Sequence, residues 1–266
     1  MGSDSILGVE IGVGPELVVG DGYAVYRGPL ADSVFHRHAA FQVAVAVGGG
    51  PVSVTDGAGV RHRGDAVVVA PMVRHRMAPS RSVLAFFVDP HCAFADRLRA
   101  GSGAGVTVAP RWRGLTEADL RAAGALPSAE VDPRLWAAMQ ALADDRVPLS
   151  GLAALVGLSP QRLRALAQRQ LGLPLARWRI WRRLARAVGV LGGGGTLAEA
   201  ALAGGFADQA HFGRRMREMT GLTPSEVLPA LRGPGAGAGT GARGAAVPAP
   251  RRVRRVRPAG QARRAT

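Results

Sequence analysis

Two periodicities divide the chain. Up to about residue 109, apolar residues come in short β-branched or alternating runs: FQVAVAV (41–47), VSVTD (52–56), DAVVVAP (65–71) and SVLAFFVDP (82–90). Turn signals such as GGGP separate them at the spacing of a sandwich or barrel. From Asp132 the period becomes helical. DPRLWAAMQALADD offers Asp132 as an N-cap, Pro133 at the first helical position, and Leu135, Met139 and Leu142 on one face. Residues 110–127 read as a linker with a short helix. Residues 233–266 are Gly, Ala, Pro and Arg of low complexity with almost nothing to bury, so disorder is expected there.

Between these lies an imperfect repeat. Ala153, Gly157 and Leu158 return 48 residues later as Ala201, Gly205 and Phe206; Leu163, Ala167 and Gly172 return after 49 as Phe212, Met216 and Gly221. Each copy reads as helix, tight turn, helix. LSGLAALVG, LS, PQRLRALAQRQLG is the first copy, and TLAEAALAG, GFAD, QAHFGRRMREMTG the second. Small alanines let helices cross closely, and glycine at a turn accepts a left-handed backbone. Ser159 before Pro160 starts one second helix, and Thr196 with Glu199 forms a capping box. Two tandem helix-turn-helix units are the simplest reading.

Charge sharpens the division. Residues 1–109 hold nine arginines against nine acidic residues, 110–146 five against six, 147–232 twelve against four, and 233–266 eight against none. A neutral front and a basic rear suggest one module for a small ligand or for structure and another for a polyanion. All 34 basic residues are Arg, which with the many Ala and Gly reflects GC-rich coding, so no single arginine is over-read. No apolar run is long enough to span a membrane, and the N-terminus lacks an export signal. The one cysteine, Cys92, has no disulfide partner, which fits a reducing cytoplasm.

In a helix-turn-helix the second helix enters the major groove. On a helical wheel Leu163, Leu166 and Ala167 turn inward in copy one, and Phe212, Met216 and Met219 in copy two. Gln161, Arg164, Ala165 and Gln168, and then Gln209, Ala210, His211, Arg214 and Arg217, face out. Arg reads guanine bidentately and Gln adenine, so this mixture suits a groove-reading face that is short of acids.

The stretch GFADQAHFGRRMREMTGLTPSEV (205–227) resembles the signature of the AraC family of bacterial transcription regulators, and the likeness runs from about Leu149 to Val227 with the upstream helix from Asp132. The resemblance implies a C-terminal all-α domain with two helix-turn-helix units joined by a linker helix over 176–191. Carried over by position, Gln161, Arg164, Ala165 and Gln168, with Gln209, Ala210, His211 and Arg214, would read bases. Arg162, Arg169, Arg215 and Arg217 would hold phosphate. Three departures stand out. Met216 takes the place of a usual Phe, Ala207 replaces a common Ser so that the turn loses a cap, and four glycines at 192–195 lengthen or loosen the join to unit two.

HRHAAFQ (36–42) and GDAVVVAPMVRH (64–75) resemble the two cupin motifs. The expected organisation is therefore an N-terminal all-β cupin-like barrel (1–109), a linker (110–127), an AraC-type DNA-binding domain (128–232) and a disordered Arg-rich tail (233–266). Cupin metal sites use two His, a Glu and a further His. Here His36, His38 and His75 match, while Gln42 stands in the Glu position. Three imidazoles suit a divalent transition metal with open positions. Relatives also keep the barrel as a metal-free effector pocket, which would put His36, His38, Gln42 and His75 in its lining, or as a structural scaffold.

The leading function is a cytoplasmic, sequence-specific regulator, an activator or a repressor and not an enzyme, controlled by a small ligand in the barrel. Its partners would be double-stranded DNA, a small-molecule effector, a second copy of the chain and, for an activator, RNA polymerase. The alternatives are a cupin metal-binding protein or metalloenzyme fused to a DNA-binding module, and a non-specific nucleic-acid coat driven by the tail. RRVRR (251–255) reads equally as a DNA anchor and as an inert extension. His62 and His91 read as surface or strand-end residues, and Cys92 as a small packing residue.

Overall fold

In a computed structural model, residues 14–48, 50–143 and 147–231 are described. The tail falls outside them. Nine strands come first: β1 Glu16–Gly20, β2 Tyr23–Leu30, β3 Phe41–Ala46, β4 Val52–Asp56, β5 Arg61–Gly64, β6 Ala66–Val69, β7 His75–Met77, β8 Ser80–Val88 and, after helix α1 Ala93–Gly101, β9 Val106–Val108. A 3₁₀ turn, Pro110–Trp112, and α2 Glu117–Gly124 follow. The helical half is α3 Pro133–Ala143, α4 Leu152–Leu155, α5 Pro160–Leu171, α6 Leu175–Gly192, α7 Leu197–Ala203, α8 Gln209–Thr220 and α9 Pro224–Leu231.

The strands form a six-stranded sheet, β1-β2-β8-β3-β6-β9, and a three-stranded one, β5-β4-β7. Neighbours pair antiparallel, as β3 does with β6 (Gln42 to Val69) and β8 (Phe41 to Val88). Alternate residues of β3 and β6 serve two cores. Phe41, Val43, Val45, Ala66 and Val68 face α1 and α2, while Ala44, Val67 and Val69 face the small sheet. That double burial explains why these strands read as continuous apolar runs.

Three parts of this half depart from the sequence reading. β1 is half-exposed along its length, and β2 buries Tyr23 and Val25 but turns mostly half-exposed beyond them, so neither carries a long apolar run. A helix, α1, interrupts the strands and buries Phe94, Ala95 and Leu98. The stretch read as a linker is instead part of the β-half core, because Trp112, Leu115 and Leu120 pack beside Phe94 and Leu98.

The helical half has its own core, and α6 runs through it, burying Trp178, Leu184, Ala187, Val188 and Leu191. Ala39 of the β half is buried in that same core, and Leu17 and Met72 pack against it. The four glycines do not loosen its end. Gly192 closes α6, and the N–H groups of Gly193, Gly194 and Gly195 donate to the carbonyls of Gly189, Leu191 and Val190 at 3.0, 3.0 and 2.9 Å. Those bonds satisfy the last carbonyls of the helix and fix the turn. Among the described residues no helix is long and apolar enough to cross a membrane.

Candidate nucleic-acid interface and histidine cleft

Each repeat builds the same turn from the same bonds. Gly157 N–H donates to Ala154 O and Leu158 N–H to Ala153 O; Gly205 N–H donates to Leu202 O and Phe206 N–H to Ala201 O. The glycine is left-handed in both copies, φ 66° and 68°, and the next residue, Leu158 or Phe206, drops into the core. This 6→1 and 5→2 pair is a Schellman cap, which stops the first helix and swings the chain into the second.

Both second helices are capped at their N-termini. Ser159 Oγ accepts from Arg162 N–H at 3.2 Å at the start of α5. Asp208 Oδ1 accepts from His211 N–H at 2.6 Å at the start of α8. The expectation that Ala207 costs this turn its cap is therefore wrong, because the next residue supplies it. Thr196 and Glu199 form the capping box of α7, with Thr196 N–H donating to Glu199 Oε2 at 2.8 Å.

The wheel assignment holds for the buried sides: Leu163, Leu166 and Ala167 in α5, and Phe212, Met216 and Met219 in α8. Gln161, Arg162, Arg164, Ala165, Gln168 and Arg169 are exposed along α5, and Gln209, Ala210, Arg214 and Arg217 along α8. Two residues are more engaged than the sequence suggests. His211 is half-buried, edge-on to Phe206 at 5.5 Å, with its ring nitrogens 3.3 Å from Ala207 N and 3.4 Å from Arg215 Nε. Arg215 Nη1 donates to Glu218 Oε2 at 2.7 Å, and Glu218 also bonds Arg177 of α6. The Arg177 guanidinium, then Arg215, hold the Glu218 carboxyl below its usual range, against the opposing effect of burial.

The histidines of the two front motifs do converge. His36 and His75 face each other across an isolated bridge. Ligand nitrogens of His36, His38 and His75 lie within 4.8 Å of one another, and all three residues are buried. Nδ1 of each sits 2.8–2.9 Å from a backbone carbonyl, of Val34, Ala40 and Val73 respectively. Gln42 Oε1 lies 2.9 Å from His38 Nε2 and 3.0 Å from His75 Nε2. Desolvation lowers all three imidazole pKa values, that of His38 to about 4, so each ring carries one proton at neutral pH. With that proton on Nδ1, facing a carbonyl, two Nε2 lone pairs meet the amide oxygen of Gln42 with no hydrogen between them. Turning the amide over would supply donors, but would set its oxygen 2.9 Å from Met77 Sδ, where the N–H now points.

This cluster is at the edge of a cleft of about 140 Å³ between the two halves. Leu17, Tyr26 and Phe87 line it from the sheet, and Trp181 of α6, Met216 of α8 and Leu222 after α8 from the helical half. One flank is closed by polar docking. Trp181 Nε1 donates to Asp89 Oδ1 at 2.7 Å, and Arg182 Nη1 to Asp89 Oδ2 at 3.3 Å. His91, read as a surface or strand-end residue, is buried between Trp136 and Trp178 because α6 docks over it. His62 caps the β4–β5 hairpin on Asp56 at 2.9 Å. Burial pushes the Cys92 thiol up to about 11, which leaves it an inert packing residue.

Sequence reasoning did not find Asp89, Trp181, Arg177 or Arg183 as interdomain and inter-helix fasteners. The interleaving of Trp and Arg through 177–186 was the available signal, but compositional bias hid it.

Residues 152–229 match a family model described as a helix-turn-helix domain. No curated protein matches the chain. Among solved structures, ToxT from Vibrio cholerae is similar at 10% identity and a TM-score of 0.53, covering 80% of this chain and 100% of that one. Wild-type ToxT from the same species with a bound unsaturated fatty acid is similar at 11% identity and 0.53, covering 79% and 95%. At such identities the likeness is one of fold, and it spans both halves.

Proposed function

We propose that the chain, through its helix-turn-helix domain at residues 152–229, is an AraC-type regulator of transcription, and from that reading follow how it reads DNA and what controls it. Gln161, Arg164, Ala165 and Gln168 read one major groove, and Gln209, Ala210 and Arg214 the next, with His211 reading only when its ring leaves Phe206. Arg162, Arg169, Arg215 and Arg217 hold phosphates. The observation that carries this is the pair of N-capped helices, each with one face buried and the other exposed, flanking a helix of 18 residues. At 1.5 Å per residue that helix is about 27 Å long, of the order of the ~34 Å between successive major grooves on one side of DNA.

The test uses a duplex selected by the protein. Arg164→Ala loses about 1–3 kcal/mol of discrimination at one base position, whereas Arg217→Ala weakens all duplexes alike. Equal losses on selected and scrambled duplex for both variants would remove Arg164 as a base reader. A second copy of the chain, and RNA polymerase where the protein activates, complete the partners of this reading on the strength of the family. No catalytic step belongs to it.

The effector site is the cleft between the halves. Its walls are apolar and include Met216 of α8 and Leu222, so an occupant touches the reading helix and the sheet at once. A small, largely apolar ligand fits such walls, the class to which the fatty acid bound by ToxT belongs. DNA affinity measured with and without a long-chain fatty acid checks this, and an unchanged affinity counts against that class.

A second reading is favoured by the proton count. A divalent transition metal among the Nε2 atoms of His36, His38 and His75 and Oε1 of Gln42 would turn facing lone pairs into ligands, with each Nδ1–H anchored on a carbonyl in the manner of metal-binding imidazoles. Elemental analysis of the protein after reconstitution with common divalent ions tests it, wild type beside His38→Ala. About one equivalent lost in the variant supports a metal; none in either excludes one.

A further inference from the structure

Two arginines of α6 each cap the end of another helix, one in unit two and one in α3. Arg183 Nε donates to the carbonyl of Gly204 at 2.7 Å, at the C-terminus of α7. Its guanidinium also lies 5.1 Å over the Phe206 ring. The turn is shaped to receive it: a Cβ at Gly205 would stand 2.7 Å from Arg183 Nη2. One turn along α6, Arg186 Nη1 donates to the carbonyl of Ala143 at 2.9 Å, the last residue of α3. α3 in turn meets unit one, where Asp132 N–H donates to Gln170 Oε1 of α5 at 2.9 Å. At the equivalent turn of unit one, among the described residues, a Cβ at Gly157 would meet nothing within 4 Å.

A guanidinium at a helix C-terminus satisfies carbonyls the helix leaves bare and meets the negative end of its dipole. A charged hydrogen bond of this kind is stronger and more directional than a neutral one. The arrangement makes α6 a ruler whose unit-two end is pinned through the turn that sets the entry of α8. We infer that Arg183 is a positioning residue that fixes the rotational phase of the second reading helix relative to the first, and so the separation of half-sites the protein accepts. This rests on the DNA-reading function proposed above.

The full chain is used to select duplexes from a random pool, as wild type, Arg183→Ala and Arg183→Lys. Wild type is expected to return two half-sites at one separation. Inserting one base pair rotates one half-site by about 34° against the other on a helix of about 10.5 base pairs per turn. In Arg183→Ala the base preferences within each half-site stay, while the ratio of affinities for the selected and the lengthened separation falls by about tenfold, or about 1.4 kcal/mol. Arg183→Lys, which lacks the planar fork, relaxes the separation in the same direction and carries the test should the alanine variant fail to fold. A uniform loss on both separations, with the ratio unchanged, means that Arg183 only stabilises the domain and overturns the inference. A wild type that selects no paired half-sites would instead sink the DNA-reading assignment itself.

Discussion

His36 of the β half lies against Gly221, the residue that ends the second reading helix: a Cβ at Gly221 would stand 2.8 Å from His36 Nδ1. The first reading helix ends in the same manner, since a Cβ at Gly172 would meet Pro71 Cβ at 3.9 Å. The two supporting segments are themselves joined, with Met72 N–H donating to His38 O at 2.8 Å. Both helices thus end on the stretches that carry the histidine cluster. An occupant of the cleft has a short packed route to both, and no long relay is needed.

Gly221→Ala tests that contact. Gly221 sits at φ 74°, a left-handed conformation that costs a side chain about 1–3 kcal/mol, and the new Cβ would also meet His36. In a His36→Ala background the steric part disappears and only the backbone part remains. Urea unfolding of the four proteins of the cycle should show a coupling of at least about 0.5 kcal/mol. Strictly additive losses would mean that the ring yields at no cost.

Asp89 is the second interdomain fastener. It is buried, accepts from Trp181 Nε1 and pairs with Arg182. Asp89→Ala leaves a half-buried indole N–H without its acceptor, and the expected loss is about 1 kcal/mol. Asp89→Asn keeps an oxygen for Trp181 and should lose less. Equal losses in the two variants would assign the effect to Arg182 instead of the indole.

Acid should destabilise the chelator-treated protein through its buried imidazoles. Desolvation lowers the pKa of His36, His38, His75 and His91 in the folded state, so the unfolded chain takes up protons first as pH falls. Stability is therefore full above the ordinary His value near 6.5 and is lost as pH falls through the window toward about 4, the value for His38. The urea midpoint followed from pH 7.5 to 4 should drop across that interval, and less steeply in His38→Gln. A flat profile would mean that the rings are reached by solvent.

The legible part of this molecule is the part where burial and backbone geometry leave a mark on residue type. Gly157 and Gly205 betray their turns and Leu163 and Phe212 their buried faces, because a repeated motif and the helical period fix them; His36, His38 and His75 betray their convergence through the paired motifs alone, since His36 and His38 lie between β2 and β3 and not on a strand. What stayed hidden depends on contacts distant in sequence. Nothing local says that Asp89 meets Trp181, 92 residues on. Nothing local says that Trp112 and Leu120 belong to the sheet core, since a short amphipathic helix looks the same in a linker. β1 and β2 were missed for a plainer reason: β1 has no buried residue, and the alternation of β2 lasts only through Tyr23 and Val25.

Asp208 makes the last test, and it separates a cap from a reader. Its carboxylate accepts the N–H of His211 at 2.6 Å, in the turn where Ala207 offers nothing. Asp208→Ala removes an acceptor from the positive end of α8 and should cost about 1 kcal/mol, whereas Asp208→Ser, still a good cap, should cost much less. Because α8 begins there, fraying of its first turn displaces Gln209 and Ala210 before it touches anything in unit one. The alanine variant should therefore lose base preference in one half-site and keep it in the other, as read from selected duplexes. If both half-sites fade together, the two units fold as one cooperative body and the cap acts on the whole domain. If neither changes and the thermal midpoint is unmoved, the capping role of Asp208 is wrong.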